Sequence, residues 1–360
     1  MITVQFKINP TSEQTRVLET AAKEYINCVN TLSVRISEST ELLKLSSASV
    51  QAELPSAVKN EAINTAKSVV DRYRRGKCES LPALKKPVIT WNNQNYSMTD
   101  KSLSFPMWID GKSKRVTIPM ILTEYQRERL HGRIADNPPP RLGSLRITQK
   151  NSKWIAQVAV EPVATESNGQ KTMGVNLGLK VPAVVATDAG KTKFFGNGRQ
   201  NKFKKRQFRA KRKELAKAKK QKALKKLNNK EQRWMKEQDH KISREIINFA
   251  QSNQVSTIHL EQLQNIRNTA RTSRKNEKNL HTWSFYRLSM FIAYKAALLG
   301  ITVVLVNPAY TSQSCPVCGT KNHAKDRRYK CKCGFKSHRD RVGAINIISA
   351  PVASDKRKPA

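Results

Sequence analysis

Four cysteines, Cys315, Cys318, Cys331 and Cys333, fall in two pairs: a CxxC knuckle, then a CxC pair after a 12-residue spacer. Four thiolates at such spacing can close a tetrahedral zinc site. A piece of chain this short buries too little apolar surface to fold alone, so the metal would supply its folding energy. The bland alternative is a set of free thiols. His323, between the two pairs, and His338, after them, read as surface groups, since four sulfurs suffice. Cys28 and Cys78 stand apart, so no disulfide framework emerges and a reducing compartment fits.

Two carboxylates sit where a charge needs a reason. Glu261 ends the apolar run "VSTIHLEQL", where ionisation is costly unless the group faces a cleft or binds something. Asp340 lies in "SHRDRVGAIN", at the start of a helical pattern. Carboxylates that converge on two divalent ions about 4 Å apart can activate water for phosphodiester hydrolysis. The plainer readings are a rim carboxylate for Glu261 and a helix-terminus charge for Asp340. A third position is conspicuous. "KTMGVNLGLK" opens a β-hairpin pattern and carries Asn176, a neutral amide. Asp188 sits in the "DAG" turn, at the other end of the second hairpin strand, too far along to replace it.

The partner class follows from charge. The 360 residues carry 67 Lys and Arg against 27 Asp and Glu, a formal charge of +40. Such an excess calls for a polyanion, and nucleic acid leads because lysine and arginine release its counterions. No run of about 18 apolar residues exists to span a bilayer, and "MITVQFKINP" lacks the parts of a secretory signal. The expectation is a cytoplasmic protein with no membrane partner. The charge concentrates between Arg199 and Leu227, where about half the residues are basic and only Glu214 is acidic. Without Gly or Pro, this stretch predicts a helix. Lys202, Lys204, Lys205, Arg206, Arg209, Lys211 and Arg212 are the candidates to lie along phosphates, a solvated helix face being the alternative. Phe203, Phe208, Trp234, Trp283, Tyr286 and Tyr310 interleave with basic residues. Their spacing places most of them in the core and leaves some to stack on bases.

The elements that position these groups read as two halves. "ITVQFKI" alternates as a strand. Helical periods follow, near 12–30, near 31–46 and from Ser56 to about residue 76. From Lys85 to Val160 the period is two, which suggests a small β-barrel joined by the first strand, with the helices as an insertion. "TESNGQK" at 165–171 reads as a linker. Beyond it, strands near 172–196, 255–261 and 301–306 alternate with helices near 199–227, 231–252 and 283–299, an α/β layer fold. A solvated basic tail closes the chain.

"MGVNLGLKVPAVVATDAGK", "STIHLEQLQNIR", "NPAYTSQSCPVCG", "YKCKCGFKSHRDRVGAINII" and the "LPSAVKNEAINTAKS" helix together resemble TnpB, the transposon-encoded RNA-guided nuclease family ancestral to type V CRISPR effectors. The resemblance implies a multidomain α+β and α/β chain. It would have a wedge β-barrel over 1–10 and 77–165 and a helical recognition insertion over 11–76. A RuvC-like RNase H fold would cover 170–311 and 337–352, with a zinc ribbon inserted at 312–336 and a disordered basic tail at 353–360. It implies a guide RNA, a double-stranded DNA target beside a short flanking motif, and a bacterial, nucleoid-associated setting. The family's second and third catalytic carboxylates match Glu261 and Asp340, and its first, an aspartate, matches Asn176. A neutral amide is a poor bridge between two cations, so magnesium there would be weak or absent. Losing several kcal/mol of transition-state stabilisation slows cutting by roughly 10²- to 10⁴-fold. Three functions are therefore open. One is a nuclease-dead RNA-guided repressor that works by occupancy. Another is an active endonuclease in which Asn176 is tolerated or introduced. The last is a zinc-ribbon DNA-binding protein that uses no RNA.

Overall fold

The computed structural model describes residues 2–39, 43–76, 78–132, 139–150, 152–161, 169–227, 229–263, 284–322, 324 and 326–353. Residues 165–168 of the expected linker, Trp283, His323 and the tail from 354 onward lie outside these. The chain divides into two compact units, Met1–Val163 and Ala164–Ala360.

The first unit is built on seven strands: β1 (Ile2–Ile8), β2 (Val88–Trp91), β3 (Ser97–Met98), β4 (Ser102–Ile109), β5 (Lys112–Ile121), β6 (Arg141–Lys150) and β7 (Lys153–Glu161). Every ladder is antiparallel, and the order is β2-β6-β7-β1-β5-β4-β3. Alternation gives the sheet one apolar face, with Val4, Phe6 and Ile8 from β1 and Leu103, Phe105 and Met107 from β4 all buried. The sequence predicts a barrel, whereas the sheet is a curled half-barrel whose end strands β2 and β3 share no ladder. The helices explain the difference. α1 (Ser12–Glu38) and α2 (Ser56–Arg74) pack on β2, and α1 also packs on β4. Leu18, Tyr25, Val29, Val58 and Ala62 thus join the same core as the strands. Of the two helical periods expected before residue 46, the first and the start of the second form the single helix α1, which ends at Glu38. It opens on a reciprocal capping box between Thr11 and Gln14. A short helix, α3 (Glu124–His131), was not expected, because its apolar pattern is weak.

The second unit holds a five-stranded sheet of β8 (Lys171–Leu177), β9 (Ala183–Thr187), β10 (Thr192–Phe195), β11 (Val255–Glu261) and β12 (Thr302–Val306). The order is β10-β9-β8-β11-β12. β8, β9 and β10 form an antiparallel meander, and β11 and β12 run parallel to β8. Both faces are covered, which is why all five residues of β9 are buried. One face meets α6 (Lys230–Ser252) and α7 (Phe285–Ala297) through Ile242, Ile246, Leu288 and Ile292. The other meets α8 (Arg339–Ser349) through Ala344. The outer edge of β12 is clipped by the segment after α8: Val352 bridges Val306, and the Ala353 amide donates to the Leu305 carbonyl.

The basic stretch is two helices, α4 (Gly198–Lys217) and α5 (Gln221–Leu227), where the sequence predicts one. The break falls at Lys219, whose φ is 52°, and no Gly or Pro announces it. After the break, Leu227 turns inward and is buried.

A polar joint fixes α6 against α7. Asp239, 4% exposed, accepts hydrogen bonds from Arg287 Nε (2.7 Å) and Ser284 Oγ (3.0 Å), and Arg287 Nη2 approaches to 2.6 Å. Burial raises the Asp239 carboxyl above its ordinary value even though Arg287 opposes the shift. Removing one partner strands the other in a dry site. Arg287→Ala is therefore expected to lower the unfolding free energy by about 3–5 kcal/mol, read from urea denaturation. A change under about 1 kcal/mol would show that Asp239 rehydrates and that the joint contributes little.

Candidate functional site

The site forms at the C-terminal ends of β8 and β11. In β8, Met173, Val175 and Leu177 point into the core under α6 and α7, so Gly174 and Asn176 face α8. β11 lies alongside with Leu260 opposite Val175, which brings Glu261 beside Asn176, one residue past the last registered pair. Alternation puts His259 and Glu261 on the α8 face too; His259 Nδ1 lies 3.2 Å from the Ile347 carbonyl oxygen. Strand and helix meet almost backbone to backbone. A Cβ at Gly174 would stand 2.1 Å from the Ala344 carbonyl oxygen, and one at Gly343 would stand 2.7 Å from Asn176 Nδ2. In that narrow gap Asn176 Nδ2 donates to the Asp340 carbonyl oxygen at 2.9 Å.

Each carboxylate at the site has a protein partner. Asp340, 8% exposed, sits in the first turn of α8, and its amide is capped by His338 Nδ1 at 3.2 Å. His338 is thus a capping residue, not the bystander its sequence context suggests. The Arg327 guanidinium donates to both Asp340 carboxylate oxygens. Glu261 Oε1 accepts a hydrogen bond from Thr311 Oγ1 at 2.5 Å. Burial pushes the Glu261 carboxyl up to about 7, and the Thr311 hydroxyl opposes that shift. Asp188 is remote: its Oδ2 accepts from the Thr172 amide at the start of β8, the end opposite Asn176. Sequence reading missed Arg327 and Thr311. Arg327 is one of many cations, and nothing in the spacing of "DRRYK" singles it out.

The four cysteines converge. Their sulfurs all lie within 4.8 Å of one another, with Cys315–Cys333 at 3.7 Å and Cys318–Cys331 at 3.5 Å. A tetrahedron with metal–sulfur bonds of about 2.3 Å has edges of about 3.8 Å, so the set fits a tetrahedral ion. The frame is a hairpin of β13 (Arg328–Lys330) and β14 (Lys336–His338). Among the described residues its buried core is Cys315, Tyr329 and Val342, a core so small that a metal held there would supply much of the folding energy.

The basic candidates separate by environment. Lys202, Arg206, Arg209 and Lys211 are exposed on α4, and Lys204 is half-buried. Lys205 is also half-buried, near Glu231 and Asp239, and desolvation lowers its ammonium below the usual lysine range. Arg212 donates to Glu231 Oε2 at 2.6 Å. These last two are tied into the helical layer and do not run freely along one face. Among the aromatics, Phe208 and Trp234 are half-buried, whereas Phe203, Tyr286 and Tyr310 are 50%, 64% and 52% exposed. The expectation that most are core fails for these three, which no described residue buries. Among the described residues, no helix is long and apolar enough to cross a membrane.

Comparison with known proteins bears on what this arrangement belongs to. The family "Probable transposase" matches residues 156–267, and "Cas12f1-like, TNB domain" matches residues 285–347. The endodeoxyribonuclease Cas12f1 of Sulfoacidibacillus thermotolerans is 26% identical over 218 residues, 55% of this chain and 50% of that protein. Methanocaldococcus jannaschii supplies two relatives. Its TnpB-like protein MJ0751 is 33% identical over 128 residues, 35% of this chain and 46% of that one. Its putative transposase MJ0856.1 is 32% identical over 80 residues, 19% of this chain and 73% of that one. The chain thus spans about half the length of the first two curated relatives it matches. In fold, it is similar to Cas12f1 solved with sgRNA and target DNA, at a TM-score of 0.68 and 17% identity over 93% of this chain and 82% of the other. Together with the strand order and the cysteine module, these matches establish that the chain belongs to the TnpB/Cas12f-like family.

Proposed function

We propose that this chain is an RNA-guided, sequence-specific DNA-binding protein whose RuvC-like site is inactivated, and that it represses transcription by occupying its target. The guide would supply sequence by pairing, and the protein would read duplex shape and a short flanking motif. On this reading residues 1–10 and 77–165 are the wedge, 11–76 the recognition insertion, 170–311 and 337–352 the RuvC-like domain, and 312–336 the zinc ribbon. A central strand flanked by an antiparallel meander on one side and parallel strands on the other is the RNase H arrangement, which supports the third assignment.

The observation that carries the reading is Asn176. It stands where the family's first carboxylate belongs, and its amide is committed to the Asp340 carbonyl. An aspartate in that rotamer would set oxygen against oxygen. The other two members are also engaged, Asp340 by Arg327 and Glu261 by Thr311. This donor set does not fit a pair of divalent cations: one position is an amide donor, and one carboxylate is already neutralised. Glu261 and Asp340 nevertheless remain carboxylates at the same end of the sheet. That keeps an endonuclease as the alternative, and cleavage decides between the two. The cysteine set fits zinc, with Cys315, Cys318, Cys331 and Cys333 as its holders and folding of the ribbon as its contribution.

Three tests follow. Elemental analysis of the purified chain is expected to find about one zinc. Cys318→Ser should lower that content, and full retention would remove the assignment. Reversing charge at Lys202, Arg206, Arg209 and Lys211 should weaken binding to all nucleic acid sequences. It should also flatten the slope of log affinity against log salt by about 0.9 for each lost duplex phosphate contact. An unchanged slope would show that α4 is merely solvated. For the site, the guide-loaded chain should bind matched DNA yet cut it slowly or not at all in magnesium. Asn176→Asp should leave DNA affinity nearly unchanged and lower stability by about 1–3 kcal/mol through the lost hydrogen bond. Rapid guide-dependent cutting by the Asn176 protein would overturn the repressor reading. A gain in cutting by the aspartate variant would place the defect at this position alone.

A further inference from the structure

Tyr310 is anomalous in three independent ways. Its φ is 61°, the left-handed region that bulky residues rarely occupy. Its side chain is 52% exposed. The ammonium of Lys321 stands 3.7 Å from the centroid of its ring. Phe203 and Tyr286 are equally exposed, but both lie in helices with ordinary backbone.

The loop around Tyr310 is built to hold that conformation. Its carbonyl accepts hydrogen bonds from the amides of Gln313 and Ser314, both at 2.9 Å. Asn307 Oδ1 accepts from the Ala309 amide at 2.9 Å, which sets the entry to the turn. Asn346 Nδ2, reaching from α8, donates to the carbonyls of Thr311 (2.7 Å) and Ser314 (2.8 Å) and fixes the exit. Lys321 is itself placed by the backbone bridge between Ser314 and Lys321. Strained backbone persists where its surroundings over-determine it, and such positions cluster at ligand contacts. What this strain achieves is to stand an aromatic ring in solvent with the Lys321 ammonium over one of its faces. The next residue, Thr311, is the one that hydrogen-bonds Glu261, so the loop that carries the ring borders the carboxylate site.

We propose that Tyr310, with Lys321 behind it, is a stacking platform for an unpaired nucleobase of a strand passing the Glu261 site. The pairing of an aromatic face with a cation suits a single strand: the ring takes the base and the ammonium takes a neighbouring phosphate. The inference rests on the nucleic-acid-binding reading but needs neither a guide nor a live nuclease. DNA and RNA strands share this chemistry, and the test separates them.

The experiment uses the full zinc-loaded chain and fluorescent single-stranded DNA and RNA of one sequence, with the matching duplex as control. Tyr310→Gly removes the ring and relieves the left-handed strain at once. It is expected to keep or raise Tm while weakening single-strand binding about 5- to 100-fold, with the salt slope unchanged because no charge is lost. Tyr310→Trp should keep the affinity. Lys321→Ala should lower both affinity and slope, the latter by about 0.7. Loss on DNA alone assigns the platform to a target strand, and loss on RNA alone assigns it to the guide. Single-strand affinity within twofold of the parent in Tyr310→Gly would overturn the proposal. So would an equal loss on duplex, or a fall in Tm that accounts for the loss. Guide-dependent occupancy of duplex DNA by the parent chain is measured in parallel, so failure of the platform and failure of the repressor reading give different results.

Discussion

The second unit depends on one close approach. α8 can lie on β8 only because Gly174 and Gly343 remove the side chains that would hold them apart, and Asn176 closes the gap with a hydrogen bond to the Asp340 carbonyl. From that seam the rest follows. Asp340 is carried to the end of the sheet, where Glu261 and Asn176 already stand on adjacent parallel strands. Asn346, farther along the same helix, holds the loop that precedes the cysteines. A helix set even slightly farther out would loosen the acidic site and the mouth of the cysteine module together.

Charge is distributed with the same economy. The chain has 27 acids for 67 Lys and Arg, and two of those acids, Asp239 and Asp340, are buried in ion pairs. Asp239 joins two helices through Arg287, Asp340 meets Arg327, and Glu231 holds Arg212. The surface is therefore left strongly positive along α4, where most of the cations face solvent.

Much of this was legible in the sequence. Period-two runs located the long strands of the first unit, and the apolar stretches around Val175, Ile258 and Val304 located the sheet of the second. The cysteine spacing pointed to convergence, and the sulfurs do converge. What was not legible has physical causes. Closure of a sheet depends on which strands meet at its ends, and local periodicity carries no record of that. The break at Lys219 lies in a run of good helix formers that gives no local sign of it, and Leu227 is buried beyond it. Arg327 and Thr311 matter through contacts with residues 13 and 50 positions away, and a side chain's partner at that separation leaves no local mark. The left-handed turn at Tyr310 lacks the glycine that normally advertises one.

The clip on β12 has a consequence of another kind. An edge strand presents a row of free amides and carbonyls that a second copy can pair with, and this one also shows Leu305, 41% exposed. Residues 351–353 occupy that row, with the Pro351 carbonyl accepting from the Asn307 amide and the Ala353 amide donating to Leu305. The short segment thus stands in as a neighbour for the C-terminal end of β12. Cutting the chain just after α8 would bare the β12 backbone groups that residues 351–353 now occupy, and open them to a strand from another molecule.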